Sequence, residues 1–460
     1  MTPFRVLVVD DSAFMRKIIS DLIEQDSRFQ VVGTGTNGRE AIEKVKELKP
    51  DVITMDVEMP ELNGLDALRT IMEEGDHTVI MLSGVNEEGM RETILALEFG
   101  AFDFIRKPSI SNAQDIEHVG SELLSQLNAA MHAKERRALW EEEEHKRREK
   151  SKANPLSPRP SDRQISFSKD ELWKTSAIKP TTRGSTYLRN KNGAQIHEGQ
   201  PGSNSSKRAE EGKAKPVKAR QVPEEQPVSI PPKKRRQASA GVHDVGNHSV
   251  VKERDERLHK RAQDSDINQI VAVGCSTGGP RALKTLLENI PADFPAPIVI
   301  VQHMPPNFTK SLAQRLDSFS ALDVKEAQDG MLLKPGAAYV APGGRHMTVS
   351  QAVNGQYQIA IRDGELCNGH RPSVDVLFES LLPLTSLKRH VVLMTGMGSD
   401  GARMMRKLYD SGVTSTFAES EETCVVYGMP RSAVELGCVR YSLPLHSMAG
   451  KLVQAVSLEK

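Results

Sequence analysis

The chain has 460 residues, more than a single hydrophobic core supports, so we expect two or three domains. Its 61 lysines and arginines balance its 61 aspartates and glutamates, so net charge does not predict binding to nucleic acid or a membrane surface. Aromatic residues make up 4% of the chain, which predicts that part of it buries little surface. We predict no signal peptide and no membrane span. The four cysteines lack metal-ligand spacing and are interpreted as free thiols of a cytoplasmic protein.

Residues 1–130 alternate apolar runs with amphipathic stretches, from Arg5–Val9 to Ile116–Ala130. Five strands alternating with five helices predict a doubly wound α/β domain built on a parallel sheet. In such sheets the functional side chains lie beyond the carboxyl ends of the strands. The polar residues that follow these predicted strands are Asp10, Asp11, Asp56, Ser83 and Lys107.

Three of these residues are acids, which predicts a cation site. Carboxylates gathered at one sheet edge repel one another unless a cation lies between them. Oxygen ligands suit Mg²⁺, which keeps water and phosphate in its shell. Acidic residues on unrelated surface loops are the alternative, but they would not explain why the hydroxyl and the lysine also follow strands. The sequence therefore predicts a Mg²⁺ site formed by Asp10, Asp11 and Asp56.

This first segment resembles the receiver domain of two-component response regulators. The matching motifs occur in order as VVDDS, MDVEMPELNG, MLSG and FIRKP. The resemblance implies a flavodoxin-like fold, Asp56 as the phosphoacceptor, and the carbonyl of Glu58 as a further Mg²⁺ ligand. It also implies that Ser83 and Lys107 contact the phosphate and that Phe104 is the switch aromatic. A chemotaxis histidine kinase would then be the phosphodonor.

Residues 131–266 differ in composition from what precedes them. Acid–base pairs such as Glu142–Lys146 predict an exposed extension of the last receiver helix. A long segment rich in Ser, Pro, Lys and Arg follows, and it predicts a disordered linker because it can bury little apolar surface. Its PPKKRR cluster, Pro231–Arg236, could be a nucleic-acid or localisation patch, but a solvated charge run is the preferred interpretation.

From residue 267 to residue 460 the alternation resumes and predicts a second, mostly parallel, Rossmann-like α/β domain. Its first strand leads into Ile270–Pro280, IVAVGCSTGGP, in which Gly274–Gly278 fits the G-x-S-x-G turn that lifts a serine hydroxyl out of a sheet. Pro280 suits the first turn of the helix that follows. A structural glycine-rich turn or a phosphate cradle would fit the same five residues, so the pentapeptide alone does not identify a nucleophile.

Two later strand ends supply partners for Ser276. The run PIVIVQ is followed by His303, and the run HVVLMTG is followed by a loop that contains Asp400. The three residues form a nucleophile, a base and an orienting carboxylate, in an order that differs from the common α/β-hydrolase order. A dinucleotide site would instead place an acid after the second strand.

Other residues compete for these roles. His346 and His370 lie in predicted loops and could each be the base, but only His303 directly follows a strand. Cys275 could be proposed as a thiol nucleophile, but Ser276 occupies the centre of the turn and Cys275 is interpreted as a small buried neighbour.

The second domain resembles the catalytic domain of chemotaxis protein-glutamate methylesterases. The matching motifs are IVAVGCSTGGP, VQHMPPNFT, YVAPGGRHM, HRPSVDVLFES, LMTGMGSDGA and YGMPRSAVELG. The resemblance implies that Ser276, His303 and Asp400 are catalytic and that the main-chain N–H groups of Thr277 and Met397 bind the oxyanion. The substrate would be a γ-glutamyl methyl ester on methyl-accepting chemotaxis receptors, and some members also deamidate glutamines. The linker is longer than the family's usual connector.

Two other functions would suit a receiver protein. One is a binding regulator without catalysis, against which the complete Ser, His and Asp set argues. The other is a DNA-binding response regulator, against which the lack of a helix-turn-helix output argues. We therefore predict no nucleic-acid partner and no membrane insertion.

Overall fold

The computed structural model of the chain describes residues 2–84, 86–108, 112–153, 267–353 and 355–457. The predicted disordered linker and its PPKKRR cluster lie outside these residues. The described residues all belong to one compact unit.

Within the described part of the first domain, one parallel sheet has the strand order β2-β1-β3-β4-β5. Its strands are β1 Phe4–Val9, β2 Phe29–Gly35, β3 Val52–Asp56, β4 Val79–Ser83 and β5 Asp103–Arg106. The helices between them are α1 Ala13–Ile23, α2 Gly38–Leu48, α3 Gly64–Glu74 and α4 Glu87–Glu98. Strands β3 and β4 are buried along their whole length, as continuous apolar runs covered on both faces should be. The predicted doubly wound fold is confirmed.

The last receiver helix, α5, runs from Ala113 to Ala153, which corresponds to about 60 Å. Its second half carries exposed i,i+4 ion pairs, among them Lys146–Glu142 at 2.6 Å and Arg137–Glu141 at 3.1 Å. Such pairs support an exposed helix by only a few tenths of a kcal/mol each, about 0.2–0.5. The predicted helical extension is therefore present in the structure.

The second domain contains a parallel sheet whose order, among the described residues, is β14-β13-β12-β6-β7-β9-β8. Its strands are β6 Gln269–Cys275, β7 Ile298–Gln302, β8 Asp323–Glu326, β9 Ala337–Val340, β12 Lys388–Leu393, β13 Ser415–Glu419 and β14 Tyr441–Leu443. A separate antiparallel hairpin is formed by β10 His346–Gln351 and β11 Tyr357–Arg362. The helices are α6 Gly279–Glu288, α7 Phe308–Asp317, α8 Val374–Leu381, α9 Ala402–Asp410, α10 Met429–Glu435 and α11 Leu445–Ser457.

The order of this sheet positions the candidate site. Strand β6 lies between β7 and β12, with Cys275 paired to Gln302 and Gly274 paired to Leu393. Ser276, His303 and the loop that contains Asp400 therefore leave the sheet at the same edge, as the carboxyl ends of parallel strands do.

The two sheets contact each other through helices α4, α6 and α7. The ring of Phe104 lies 4.6 Å from the ring of Phe308, measured between centroids. Both rings belong to one buried apolar cluster that also includes Met90, Ile94 and Leu97 of α4. The receiver and the second domain thus share a continuous hydrophobic contact.

Candidate active site and receiver site

Ser276 lies in a tight turn between β6 and α6. The turn depends on Gly278, whose φ of 77° is in the left-handed region and which caps α6. A Cβ atom built on Gly278 would lie 2.6 Å from the side chain of Val425, so only glycine fits. Cys275 is fully buried, and burial raises the pKa of its thiol well above the usual value. The thiolate of Cys275 is thus disfavoured, whereas Ser276 remains partly exposed.

The main chain of Ser276 is held by both neighbouring strands. Its N–H donates to the carbonyl of Thr395 at 3.0 Å, beyond the end of β12. Its carbonyl accepts from the Gln302 amide at 2.9 Å, at the end of β7, and from the N–H of Gly279 at 2.7 Å. The turn is therefore rigidly placed between the strand ends that carry the other two candidate residues.

His303 and Asp400 form a buried pair, with His303 Nε2 2.8 Å from Asp400 Oδ2. Because the carboxylate can only accept, Nε2 carries the proton of the neutral imidazole. Nδ1 is then the acceptor, and it is buried with no hydrogen-bond partner in the described part of the chain. The lone pair of Nδ1 is consequently available to take a proton.

Asp400 accepts several further hydrogen bonds. Its Oδ1 accepts from Asn368 at 2.7 Å and from the Ser373 hydroxyl at 2.9 Å, and its Oδ2 accepts from the N–H of Val374 at 2.7 Å. Burial by itself raises the pKa of Asp400, but the bonds from His303, Asn368 and Val374 outweigh it and hold the pKa well below its usual value. Asp400 is thus a carboxylate throughout the neutral range.

The residues that donate hydrogen bonds to Asp400 were not predicted from the sequence. Ser373 and Val374 lie inside the motif HRPSVDVLFES, but the motif does not state which residue they contact. The one local signal for Asn368 is the dipeptide Asn368–Gly369, a turn former, and Asn368 adopts a φ of 53°.

Neither of the two competing histidines pairs with a carboxylate in the part of the chain that the structure describes. His370 stacks on His303 with ring centroids 3.8 Å apart and 9° between the planes. Burial, followed by the charge of His303, lowers the pKa of His370 to about 4. His346 is buried on β10, where its Nε2 donates to the carbonyl of Glu365 at 2.9 Å. Of the three, His303 alone pairs with an acid in the described residues.

Two main-chain N–H groups near Ser276, those of Thr277 and Met397, have no acceptor among the described residues. The N–H of Ser276 itself is already used by Thr395. Ser276 follows β6 at the strand end next to His303, whose main-chain N–H donates to the carbonyl of Cys275 at 3.2 Å. A serine, a histidine–carboxylate pair and N–H donors at one sheet edge are the groups that nucleophilic acyl transfer requires.

In the receiver, carboxylate oxygens of Asp10, Asp11 and Asp56 lie within 4.8 Å of one another. Lys107 Nζ lies 2.8 Å from Asp10 Oδ2 and 2.7 Å from Asp56 Oδ2. Burial raises the pKa of Asp56 to about 6, although Lys107 acts in the opposite direction. Glu58 is adjacent, and its N–H donates to Asp56 Oδ1 at 3.3 Å. An acidic oxygen cluster of this kind is compatible with a hard divalent cation such as Mg²⁺.

Ser83 is completely buried beside this cluster, and its hydroxyl lies 2.6 Å from that of Thr93 and donates to the carbonyl of Gly84 at 3.1 Å. Thr93 was not predicted, because it lies inside helix α4 rather than at a strand end. Phe104 is buried on β5 and faces Phe308, so its ring is part of the contact between the domains.

The receiver contacts the side chains of Thr277 and Met397, the two residues whose main-chain N–H groups have no acceptor among the described residues. Asp103 Oδ2 accepts from the Thr277 hydroxyl at 2.6 Å, and the Ser125 hydroxyl lies 3.9 Å from the sulfur of Met397. The extension of α5 adds Arg136, whose Nε donates to Glu421 at 3.1 Å. A receiver in this position contacts the loops on which the candidate active site is built.

These features define a class of protein: a response-regulator receiver joined to an α/β domain that has the residues of a serine hydrolase. Comparisons with protein families agree with this description for both domains. The profile of the response regulator receiver domain matches residues 6–118, and that of the CheB methylesterase family matches residues 271–452.

Whole-chain relatives extend this match over nearly every residue. The chain is 37% identical to the protein-glutamate methylesterase/protein-glutamine glutaminase of Geobacillus kaustophilus and 35% identical to that of Bacillus subtilis, in each case over 99% of both chains. The crystal structure of the Thermotoga maritima CheB methylesterase catalytic domain is 46% identical, with a TM-score of 0.40, and covers 42% of this chain and 99% of that one. The chain belongs to the protein-glutamate methylesterase/protein-glutamine glutaminase family.

A helix that crosses a bilayer must be long and apolar along about 20 residues. In the described ranges, no helix is both long enough and apolar enough to cross a bilayer.

Proposed function

We propose that this chain is a phosphorylation-activated serine esterase that hydrolyses γ-glutamyl methyl esters on chemotaxis receptors. The observation that supports this most directly is the buried His303–Asp400 pair at the strand end next to Ser276. The substrates are the cytoplasmic helices of methyl-accepting receptors, as in the family that the motifs indicate, and the enzyme acts in the cytoplasm.

In the acylation step, Ser276 Oγ attacks the ester carbonyl carbon while His303 Nδ1 accepts the hydroxyl proton. The C–O bond to the methoxy group then breaks, His303 returns the proton to the leaving oxygen, and methanol departs. In the second step a water molecule attacks the acyl-enzyme, with His303 again as the base. The products are a glutamate side chain and the free Ser276 hydroxyl, so atoms and protons balance.

Two sets of groups stabilise charge during these steps. Asp400 fixes the proton on Nε2 and stabilises the imidazolium that forms when Nδ1 is protonated. The N–H groups of Thr277 and Met397 donate to the oxyanion, and each such donor contributes about 3–4 kcal/mol. A glutamine amide can react at the same serine, with ammonia as the leaving group, and the relatives' names include that second activity.

Control starts at the receiver site. We assign Asp56 as the phosphoacceptor for a chemotaxis histidine kinase, and Asp10, Asp11, Asp56 and the carbonyl of Glu58 as the residues that would hold Mg²⁺. The ion, when bound, supplies positive charge that offsets the carboxylates and the incoming phosphoryl oxygens. Lys107 and the Ser83 hydroxyl then contact the phosphate, which adds about −1.5 to −2 units of charge next to buried groups.

The phosphate acts on the esterase through Phe104. If Ser83 turns toward the phosphate, space opens next to β5 and the Phe104 ring can leave Phe308. The receiver then loosens from α6 and α7 and exposes the loops around Ser276. A tenfold activation corresponds to a shift of about 1.4 kcal/mol between the closed and open forms, which one charge-assisted contact can supply.

The direct test measures methanol release from methylated receptor by the full chain. Ser276→Ala should abolish release, because the nucleophile is lost. Cys275→Ala is the matched control, since it removes the adjacent buried thiol, and it should retain most of the activity. If Cys275→Ala were inactive and Ser276→Ala active, the assignment of the nucleophile would be wrong.

A further inference from the structure

One buried acid of the second domain has no part in the chemistry described above. Glu419 is the last residue of β13 and its side chain is completely buried. Both of its oxygens accept hydrogen bonds: Oε2 from the N–H of Thr395 and Oε1 from the Thr423 hydroxyl, each at 2.9 Å. Burying a carboxyl group is unfavourable, and burial raises the pKa of Glu419. A carboxyl group buried at that cost calls for a structural or functional reason.

The partner of Glu419, Thr395, connects it to the Ser276 turn. The carbonyl of Thr395 accepts the N–H of Ser276 at 3.0 Å, and the Thr395 hydroxyl donates to the carbonyl of Thr277 at 2.9 Å. Thr395 is therefore held on one side by Glu419, and on the other side it holds the main chain of the two residues at the centre of the turn.

The residue after Thr395 also packs against the nucleophile. A Cβ atom built on Gly396 would lie 2.8 Å from Ser276 Cβ and 3.0 Å from Ser276 N, so the two main chains are in direct contact. Met397, whose N–H is the second oxyanion donor in the proposed function, comes immediately afterwards. A displacement of Thr395 would thus move both the Ser276 turn and the Met397 N–H.

We propose that Glu419 is a positioning residue for the esterase: it anchors the segment Thr395–Met397 against the Ser276 turn and so sets the geometry of the oxyanion site. This inference rests on the proposed function. Without an acceptor, the buried N–H of Thr395 would turn toward water or another carbonyl, and the segment would shift with it.

The size of the effect follows from the geometry that acyl transfer demands. A misplacement of about 1 Å in a group that supports the chemistry can cost about 100-fold in rate. Because Glu419 does not touch the substrate, its loss should lower kcat and leave KM for methylated receptor nearly unchanged.

Three substitutions of Glu419 in the full chain distinguish the effect of its hydrogen bonds from the effect of its side-chain volume. Glu419→Ala and Glu419→Met both remove the acceptors, but Met fills the space and keeps the protein folded if Ala does not. Both should lower kcat for methanol release by about 10- to 100-fold, with KM within about threefold of wild type. Glu419→Gln should restore kcat to within about threefold, since its amide oxygen can accept from Thr395 and its NH₂ can donate to Thr423.

His390→Ala is the control for destabilisation alone. His390 lies on β12, is completely buried, and bonds at 2.7 Å to Ser415, at the opposite end of β13 from Glu419. This variant should lower the melting temperature and keep kcat. The inference is overturned if Glu419→Met keeps kcat within about threefold of wild type, or if His390→Ala loses kcat to the same extent.

A Ser276→Ala arm distinguishes this inference from the proposed function. If Ser276→Ala abolishes release while Glu419→Met does not change it, the positioning role alone fails. Continued release by Ser276→Ala would overturn the proposed function, and the role of Glu419 with it.

Discussion

At the scale of single residues, the orientation of His303 determines which of its nitrogens is the base. Nε2 donates to Asp400, so in the proposed mechanism the proton of Ser276 passes to Nδ1, the ring nitrogen nearer to the main chain. The tautomer depends on an acceptor at the position of Asp400 Oδ2. An amide there can present an NH₂ group, which would force the proton onto Nδ1 and remove the lone pair.

We therefore expect Asp400→Asn to lower kcat for methanol release by about 10³- to 10⁴-fold, with little change in fold. Asp329→Asn is the control, because Asp329 also accepts a main-chain N–H, that of Ile361 on β11 at 2.8 Å, and lies outside the candidate site. It should cost stability and far less activity. A small effect of Asp400→Asn on kcat would show that the imidazole keeps its tautomer without the carboxylate.

The main members of both sites could be predicted because each follows an apolar run. Asp56 directly ends β3, and His303 follows β7 by one residue, so strand ends alone indicated them. The supporting groups lie elsewhere: Asn368 contacts Asp400 across 32 residues of chain, and Thr93 is inside a helix. Contacts of this kind depend on how loops and helices pack, and no local pattern of residues records them.

At the scale of elements, apolar runs in the sequence predicted the central strands of the second sheet but not its edge strands. Strands β8 and β14 were not predicted, since they are four and three residues long and have neither a full apolar run nor complete burial. Helix α11 was also not predicted. Strand β12 was found from the run HVVLMTG, but it begins two residues before that run, at Lys388, and His390 is a polar residue at a fully buried position.

His390 makes the stability of β12 dependent on pH. Burial, followed by the charge of Lys388, lowers the pKa of His390 to about 4, against an ordinary value of 6.5. Between these values the unfolded chain binds a proton that the folded chain does not, so the free energy of unfolding decreases as pH falls from about 6.5 to 4. The contribution is on the order of 3 kcal/mol over that window.

Urea unfolding of the full chain at pH 7 and at pH 5 measures this effect. His390→Gln should reduce the loss of stability between the two pH values by about 1–2 kcal/mol. Ser415→Ala, which removes a hydrogen-bond partner of His390 and keeps the imidazole, should lower stability at both pH values and retain the dependence. Equal pH dependence in wild type and His390→Gln would contradict the assignment.

At the scale of the whole molecule, an ion pair helps to hold the receiver on the second domain. Arg315 on α7 donates to both oxygens of Glu98 on α4, at 2.8 and 2.9 Å, and the Glu98 side chain is only 7% exposed. A two-pronged contact to a nearly buried carboxylate is stronger than an ordinary surface pair. It is therefore a candidate restraint on the unphosphorylated enzyme.

We expect Arg315→Glu to raise basal methanol release of the unphosphorylated chain by about 3- to 10-fold, which corresponds to about 0.7–1.4 kcal/mol. Stimulation by an acyl-phosphate donor should shrink accordingly, because the restraint is already relieved. The charge-swapped double variant Glu98→Arg with Arg315→Glu should restore part of the low basal rate. Unchanged basal release in Arg315→Glu would mean that this contact does not hold the enzyme closed.

The strand order of the second sheet also has a consequence for how the protein is made. Strand β6, which leads to Ser276, pairs with β12, and His303 and Asp400 are 97 residues apart in the chain. Synthesis must therefore pass residue 400 before these residues can come together, whereas the receiver has all five of its strands by Arg106. Domains generally fold as they emerge, amino-terminal first. The receiver sheet can therefore form before the residues proposed as catalytic have all been synthesised.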